Sequence, residues 1–134
     1  MTDPTRGLEP DLPDVVAEVH AVFERYETAL LANDVPVLEE LFWNSPRTIR
    51  YGVGENLHGW DEICAFRRAR RTGAFRRELR RTVIKTFGRD FATADTEYLR
   101  EGFARIGRES KTLVRTPAGW RIVSAHVSLI GETV

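Results

Sequence analysis

The chain has 134 residues, 42% hydrophobic and 30% charged, and its twenty basic and twenty acidic residues cancel to a net charge of zero. That is enough chain for one domain with a real core. The balanced charge excludes bulk attraction to nucleic acid or to an anionic lipid surface, and no apolar run reaches transmembrane length.

Residues 1–10 are polar and proline-containing and read as a flexible tail without the apolar segment of a signal peptide. Residues 11–134 read as a single domain. A helix follows Asp11, with Asp11 or Asp14 as candidate caps. Val15, Val19, Val22, Phe23, Tyr26, Ala29 and Leu30 recur at three- and four-residue spacing along one face. Tyr26 therefore sits on the buried stripe, with a hydroxyl that needs a partner. Asn33-Asp34 ends this helix, and Val35 to Phe42 makes a short second one. Trp43 to Pro46 is a turn.

Residues 47–71 are the most informative stretch. Thr48 to Val53 alternates, so Ile49, Tyr51 and Val53 share one face and Arg50 lies on the other. A tight turn at Gly54-Glu55-Asn56 leads to Leu57-His58, and a third helix spans roughly 60 to 71. On that helix Arg67 and Arg70 share a side with Ile63 and Phe66, while Arg68 and Arg71 point elsewhere. All basic residues except Lys85 and Lys111 are arginine, the side chain suited to bidentate carboxylate recognition. Arg50, Arg67 and Arg70 are thus candidates for a carboxylate pocket, with Glu55 or Glu97 as alternative ion-pair partners for Arg50.

From about residue 76 the hydrophobic period changes to two. Four strands follow, with turns at Gly88-Arg89-Asp90, near Gly102, and at Pro117-Ala118-Gly119, giving an antiparallel meander. In the last strand strict alternation places Trp120, Ile122, Ser124, His126 and Ser128 on one face and Val123, Ala125, Val127 and Leu129 on the other. His126 and Ser128 are therefore candidate polar contacts, with a hydrogen-bonded core or interface histidine as the competing reading of His126. The paired arginines 76-77 and 80-81 read as solvated or interface charges. His20, His58 and His126 lack metal-ligand spacing, so no metal or other cofactor is expected. The single cysteine, Cys64, allows no internal disulfide, and a cytoplasmic setting is expected.

Helices first and a meander after them give an α+β class with helices on one side of a sheet. This order resembles the nuclear-transport-factor-like superfamily, which includes ketosteroid isomerases and SnoaL-like cyclases. More narrowly, FWNSPRTIRYGVGENLHG, ICAFRRAR, GRDFATADTEY and WRIVSAHVSLI resemble the AtzH-like group with its HpxZ relatives. The resemblance implies a cone-shaped, curved antiparallel sheet with three N-terminal helices packed on its concave side. It also implies an enzyme acting on a carboxylated urea or related amide-carboxylate, by decarboxylation or by hydrolysis, and a metabolic link to an amidase. By matching position, Tyr26 and Arg50 would be the working pair, with Arg67 and Arg70 as further carboxylate ligands. The competing readings are a non-catalytic binding or amidase-associated protein, and a SnoaL-like cyclase or dehydratase. A homodimer through the outer face of the sheet is expected, because that face carries Val, Leu and Ile residues in strict alternation.

Overall fold

A computed structural model describes residues 6–70 and 73–133. Residues 1–5 of the expected tail, and Arg71, lie outside them. The element order is α1 (Pro13–Ala32), α2 (Val35–Leu41), β1 (Ile49–Tyr51), β2 (Asn56–His58), α3 (Trp60–Ala69), β3 (Arg77–Phe87), β4 (Phe91–Arg100), β5 (Arg105–Thr116) and β6 (Gly119–Thr133).

Helix α1 starts at Pro13, whose missing N–H costs nothing in the first turn. Neither expected aspartate caps it. The carboxylate of Asp11 accepts from the Thr86 amide of β3 at 3.0 Å, while Asp14 pairs with Arg89 at the hairpin tip. Residues ahead of the helix are held to the same hairpin, because the Gly88 amide donates to the Glu9 carbonyl. At the other end Asn33 adopts a left-handed conformation and closes the helix through its amide. The Asp34 carboxylate then accepts from the Val37 amide and opens α2. The apolar stripe of α1 is buried as its spacing requires, with Val15 and Val19 fully enclosed.

Six strands form one sheet in the order β2-β1-β6-β5-β4-β3. The four long strands make the expected antiparallel meander. The expected all-antiparallel, cone-shaped sheet is not observed. Strand β1 joins β6 in parallel, with Arg50 opposite Ala125, so the sheet is mixed. β2 and β3 remain separate edges, so it is open and neither closed nor strongly curled. The helices pack against one face of this open sheet.

A bulge in β6 sets which residues face them. Between Thr112/Ser124 and Leu113/Ile122 the register shifts by one residue, and Val123 is the extra one. Trp120 and Ile122 face the helices before the shift, and Ala125 and Val127 do so after it. The inner surface of β4 and β5 changes character along its length. Ala92 and Leu113 are paired at one end, Ala94 with Lys111 and Thr96 with Glu109 in the middle, and Tyr98 with Gly107 at the other. The apolar end carries the core beneath Val15, Val19 and Phe23. The polar end meets the C-terminal half of α1.

Candidate functional site

A cavity of about 230 Å³ opens at that polar end. Tyr26 and Leu30 of α1 form one wall, Phe66 and Arg70 of α3 another, and Val127 and Leu129 of β6 part of the floor. Among the described residues five arginines line it, Arg50, Arg70, Arg77, Arg100 and Arg105, against two glutamates, Glu55 and Glu109. This excess of positive charge suits an anion.

Each predicted residue has a definite place. Tyr26 is buried on the α1 stripe and borders the cavity. Its hydroxyl accepts a hydrogen bond from Nη2 of Arg67 at 3.1 Å. A phenol oxygen engaged as an acceptor leaves its own proton free to be donated. Arg67 is 2% exposed and lies behind the cavity wall rather than on it. Its Nε and Nη1 have no hydrogen-bond partner among the described residues.

Arg50 is buried on the inner face of β1, and its Nη1 donates to Glu55 at 2.8 Å. Glu55 rather than Glu97 is thus its partner. The guanidinium also lies 5.6 Å from the centroid of the Phe66 ring. Arg70 ends α3 and lines the cavity. Burial lowers its pKa, and the neighbouring charges of Arg67, Arg50 and Arg100 lower it further. An anion placed among these arginines would relieve that repulsion.

His126 and Ser128 fall elsewhere. The Val123 bulge turns both onto the outer face of the sheet, away from the cavity, and exposes His126. There the imidazole packs edge-on against Tyr51. Strict alternation misplaced them because one extra residue reverses every side chain beyond it. Val127 and Leu129 take the inward positions.

Several cavity residues carry no warning in a residue-by-residue reading. Arg77, expected to be a solvated or interface charge, is buried and donates through Nε to Glu27 at 2.8 Å. Burial would lower its pKa, but its hydrogen bond to Glu27 and the charge of Glu109 together raise it. Its guanidinium stacks 4.3 Å from the centroid of the Tyr98 ring. Burial, followed by the Glu109 charge, raises the pKa of the Tyr98 phenol. Arg100 lies between two rings, 4.2 Å from Phe75 and 4.9 Å from Phe103. Burial pushes the Cys64 thiol up to about 11, helped by Glu39, which leaves it unreactive packing. Among the described residues no cluster of metal-ligating side chains is found, and no helix is long and apolar enough to cross a membrane.

The sequence matches the AtzH-like family over residues 9–133. The chain belongs to the AtzH-like family. Solved structures share its fold. The AtzH-like chain is 55% identical to a protein of unknown function from Pectobacterium atrosepticum, with a TM-score of 0.89, covering 91% of this chain and 95% of that one. It is 45% identical to a cystatin-like fold protein from Burkholderia xenovorans, with a TM-score of 0.88 and coverage of 94% and 99%. A ketosteroid isomerase-like protein from Erwinia carotovora atroseptica is 16% identical with a TM-score of 0.67, covering 90% of this chain and 100% of that one, and shares the fold alone. No match is found among curated proteins.

Proposed function

We propose that this chain is a small-molecule enzyme that removes a carboxyl group from a carboxylated urea or related amide-carboxylate. The arginines hold the carboxylate and Tyr26 acts as general acid. The observation that carries the reading is the Arg67–Tyr26 hydrogen bond at the edge of an arginine-rich cavity.

The chemistry is simple. The bond between the carboxylate carbon and nitrogen breaks, and its electron pair stays on nitrogen. That nitrogen takes the phenol proton of Tyr26, and carbon dioxide leaves. Arg67 then faces the phenolate oxygen until solvent returns the proton. Arg50 spends one N–H on Glu55 and keeps others for a carboxylate, and Arg70 offers a second fork nearby.

Decarboxylation is favoured over hydrolysis by the state of the two lining carboxylates. Hydrolysis needs a base to activate water. Glu55 is tied to Arg50. Glu109 would have its pKa raised by burial, but Lys111 and Arg77 outweigh this and hold it at about 2. Glu109 is therefore a poor proton acceptor at neutral pH.

A non-catalytic, amidase-associated binder would use the same cavity, so only turnover separates it from the enzyme. Incubation with ureido-dicarboxylates should release carbon dioxide without ammonia. Tight binding of every such compound without turnover would establish the binder instead. A homodimer stays part of this proposal, although Val127 and Leu129 turn inward and leave the outer face of β6 more polar than strict alternation implies. Light scattering reads it directly.

A further inference from the structure

Beneath Tyr26 lies a charged layer that the proposed reaction does not consume. Glu109 and Lys111 sit on the inner face of β5 in line with Gly107 and Leu113, and are 4% and 3% exposed. The Lys111 ammonium pairs with Glu109. The other oxygen of Glu109 faces Nη1 of Arg77 at 3.6 Å, and Arg77 holds Glu27 of α1. Two cations and two carboxylates thus form a neutral buried chain from the helix to the sheet. The same ammonium lies 4.1 Å from the centroid of the Tyr26 ring and 5.3 Å from that of Phe23.

A buried lysine is costly unless paired, and apolar residues of similar volume often stabilise such a position better. Stability alone therefore does not account for a charge here. The geometry offers another reason. Arg67 of α3 grips the Tyr26 hydroxyl, and Lys111 of β5 lies against its ring. The two cations hold the phenol at two different points.

We propose that Lys111 is a positioning residue for Tyr26, anchored by the Glu27–Arg77–Glu109 chain so that its ammonium fixes the plane of the phenol ring. This rests on the reading of Tyr26 as the acid. Lys111 touches no substrate and acts only through the ring.

The test compares Lys111→Met with the double variant Lys111→Met/Glu109→Gln. The single variant leaves Glu109 with less compensation, so a loss of fold there has a trivial cause. The double variant removes both charges and keeps the volume. It should melt no lower than the parent and bind malonate, a small dicarboxylate probe, no more weakly, since Glu109→Gln takes a carboxylate off the cavity wall. Its kcat should fall about tenfold, the scale of a buried cation–π contact, with KM not raised. Placed in a Tyr26→Phe background, the same pair of substitutions should cost nothing further. Parental kcat in the double variant would overturn the proposal, since Lys111 would then only neutralise Glu109. A matched loss of malonate affinity and kcat would also overturn it.

A readout apart from turnover is NMR of ring-labelled tyrosine, with Tyr26 assigned by its loss in Tyr26→Phe. Its ring signals should move in the double variant, and unmoved signals would overturn the proposal. If Tyr26→Phe keeps full activity, the acid assignment fails whatever Lys111 does. If Tyr26→Phe is slow and the double variant is not, only the role of Lys111 fails.

Discussion

Arg67 and Tyr26 stand 41 positions apart and meet inside the protein, where Nη2 donates to the phenol oxygen at 3.1 Å. The partner of this buried guanidinium is a neutral hydroxyl, not a carboxylate. That makes the pair poor as a device for stability and well suited to orienting a proton donor.

Replacement of Arg67 by Met should therefore leave the melting temperature unchanged or raise it, because no opposite charge is stranded. Turnover should fall by about 10- to 100-fold, as the phenol loses its orienting donor. Thermal denaturation and steady-state rates on one preparation check both halves. A large drop in melting temperature would show that the guanidinium is structural.

Acid should weaken the fold through Glu109. Its pKa is depressed from 4.5 to about 2 in the folded chain. A carboxyl depressed by folding contributes stability that is fully present above its unfolded pKa and is lost as pH falls through the folded one. Stability should thus decline between about pH 5 and pH 2, by on the order of 3 kcal/mol from this group. Urea unfolding across that range should show the loss, and Glu109→Gln paired with Lys111→Met should flatten it.

Two glycines separate a structural from a functional contact. A Cβ at Gly107 would lie 2.1 Å from the Tyr98 ring, so Gly107→Ala must displace a packed aromatic and should cost about 1–3 kcal/mol. A Cβ at Gly52 would lie 1.8 Å from the Glu55 carboxylate, the end of a flexible side chain. Gly52→Ala should cost under about 1 kcal/mol in stability. It should still alter dicarboxylate affinity, because it dislodges Glu55 from Arg50. Denaturation and calorimetric binding of malonate distinguish the two.

Much of this arrangement is legible in the chain. The three- and four-residue spacing of α1 placed Tyr26 on the buried stripe, and alternation set Arg50 on the face opposite Ile49 and Tyr51. The class, the meander and its turns followed from the change of period at residue 76. The open, mixed sheet was not legible, because the pairing of β1 with β6 joins segments far apart in sequence. Nor was the position of His126 and Ser128, since a bulge at Val123 depends on the partner strand. The charged layer is written in the parity of β5. Gly107, Glu109, Lys111 and Leu113 share one parity in β5, and a charge in register with a buried leucine faces inward.

Like-charge repulsion among Arg50, Arg70 and Arg100 should make the cavity an anion sensor. Malonate should raise the melting temperature by mass action, and added salt should weaken the effect. Arg70→Ala should remove most of this shift while sparing the unliganded melting temperature. An unchanged shift would place the anion elsewhere.

The central claim is that the Tyr26 hydroxyl delivers the proton. Carbon dioxide release by Tyr26→Phe, measured beside malonate affinity, tests it most directly. Turnover should fall by about 100-fold or more, the scale of a lost general acid, while affinity stays within about twofold. Undiminished carbon dioxide release by a folded Tyr26→Phe protein would contradict it.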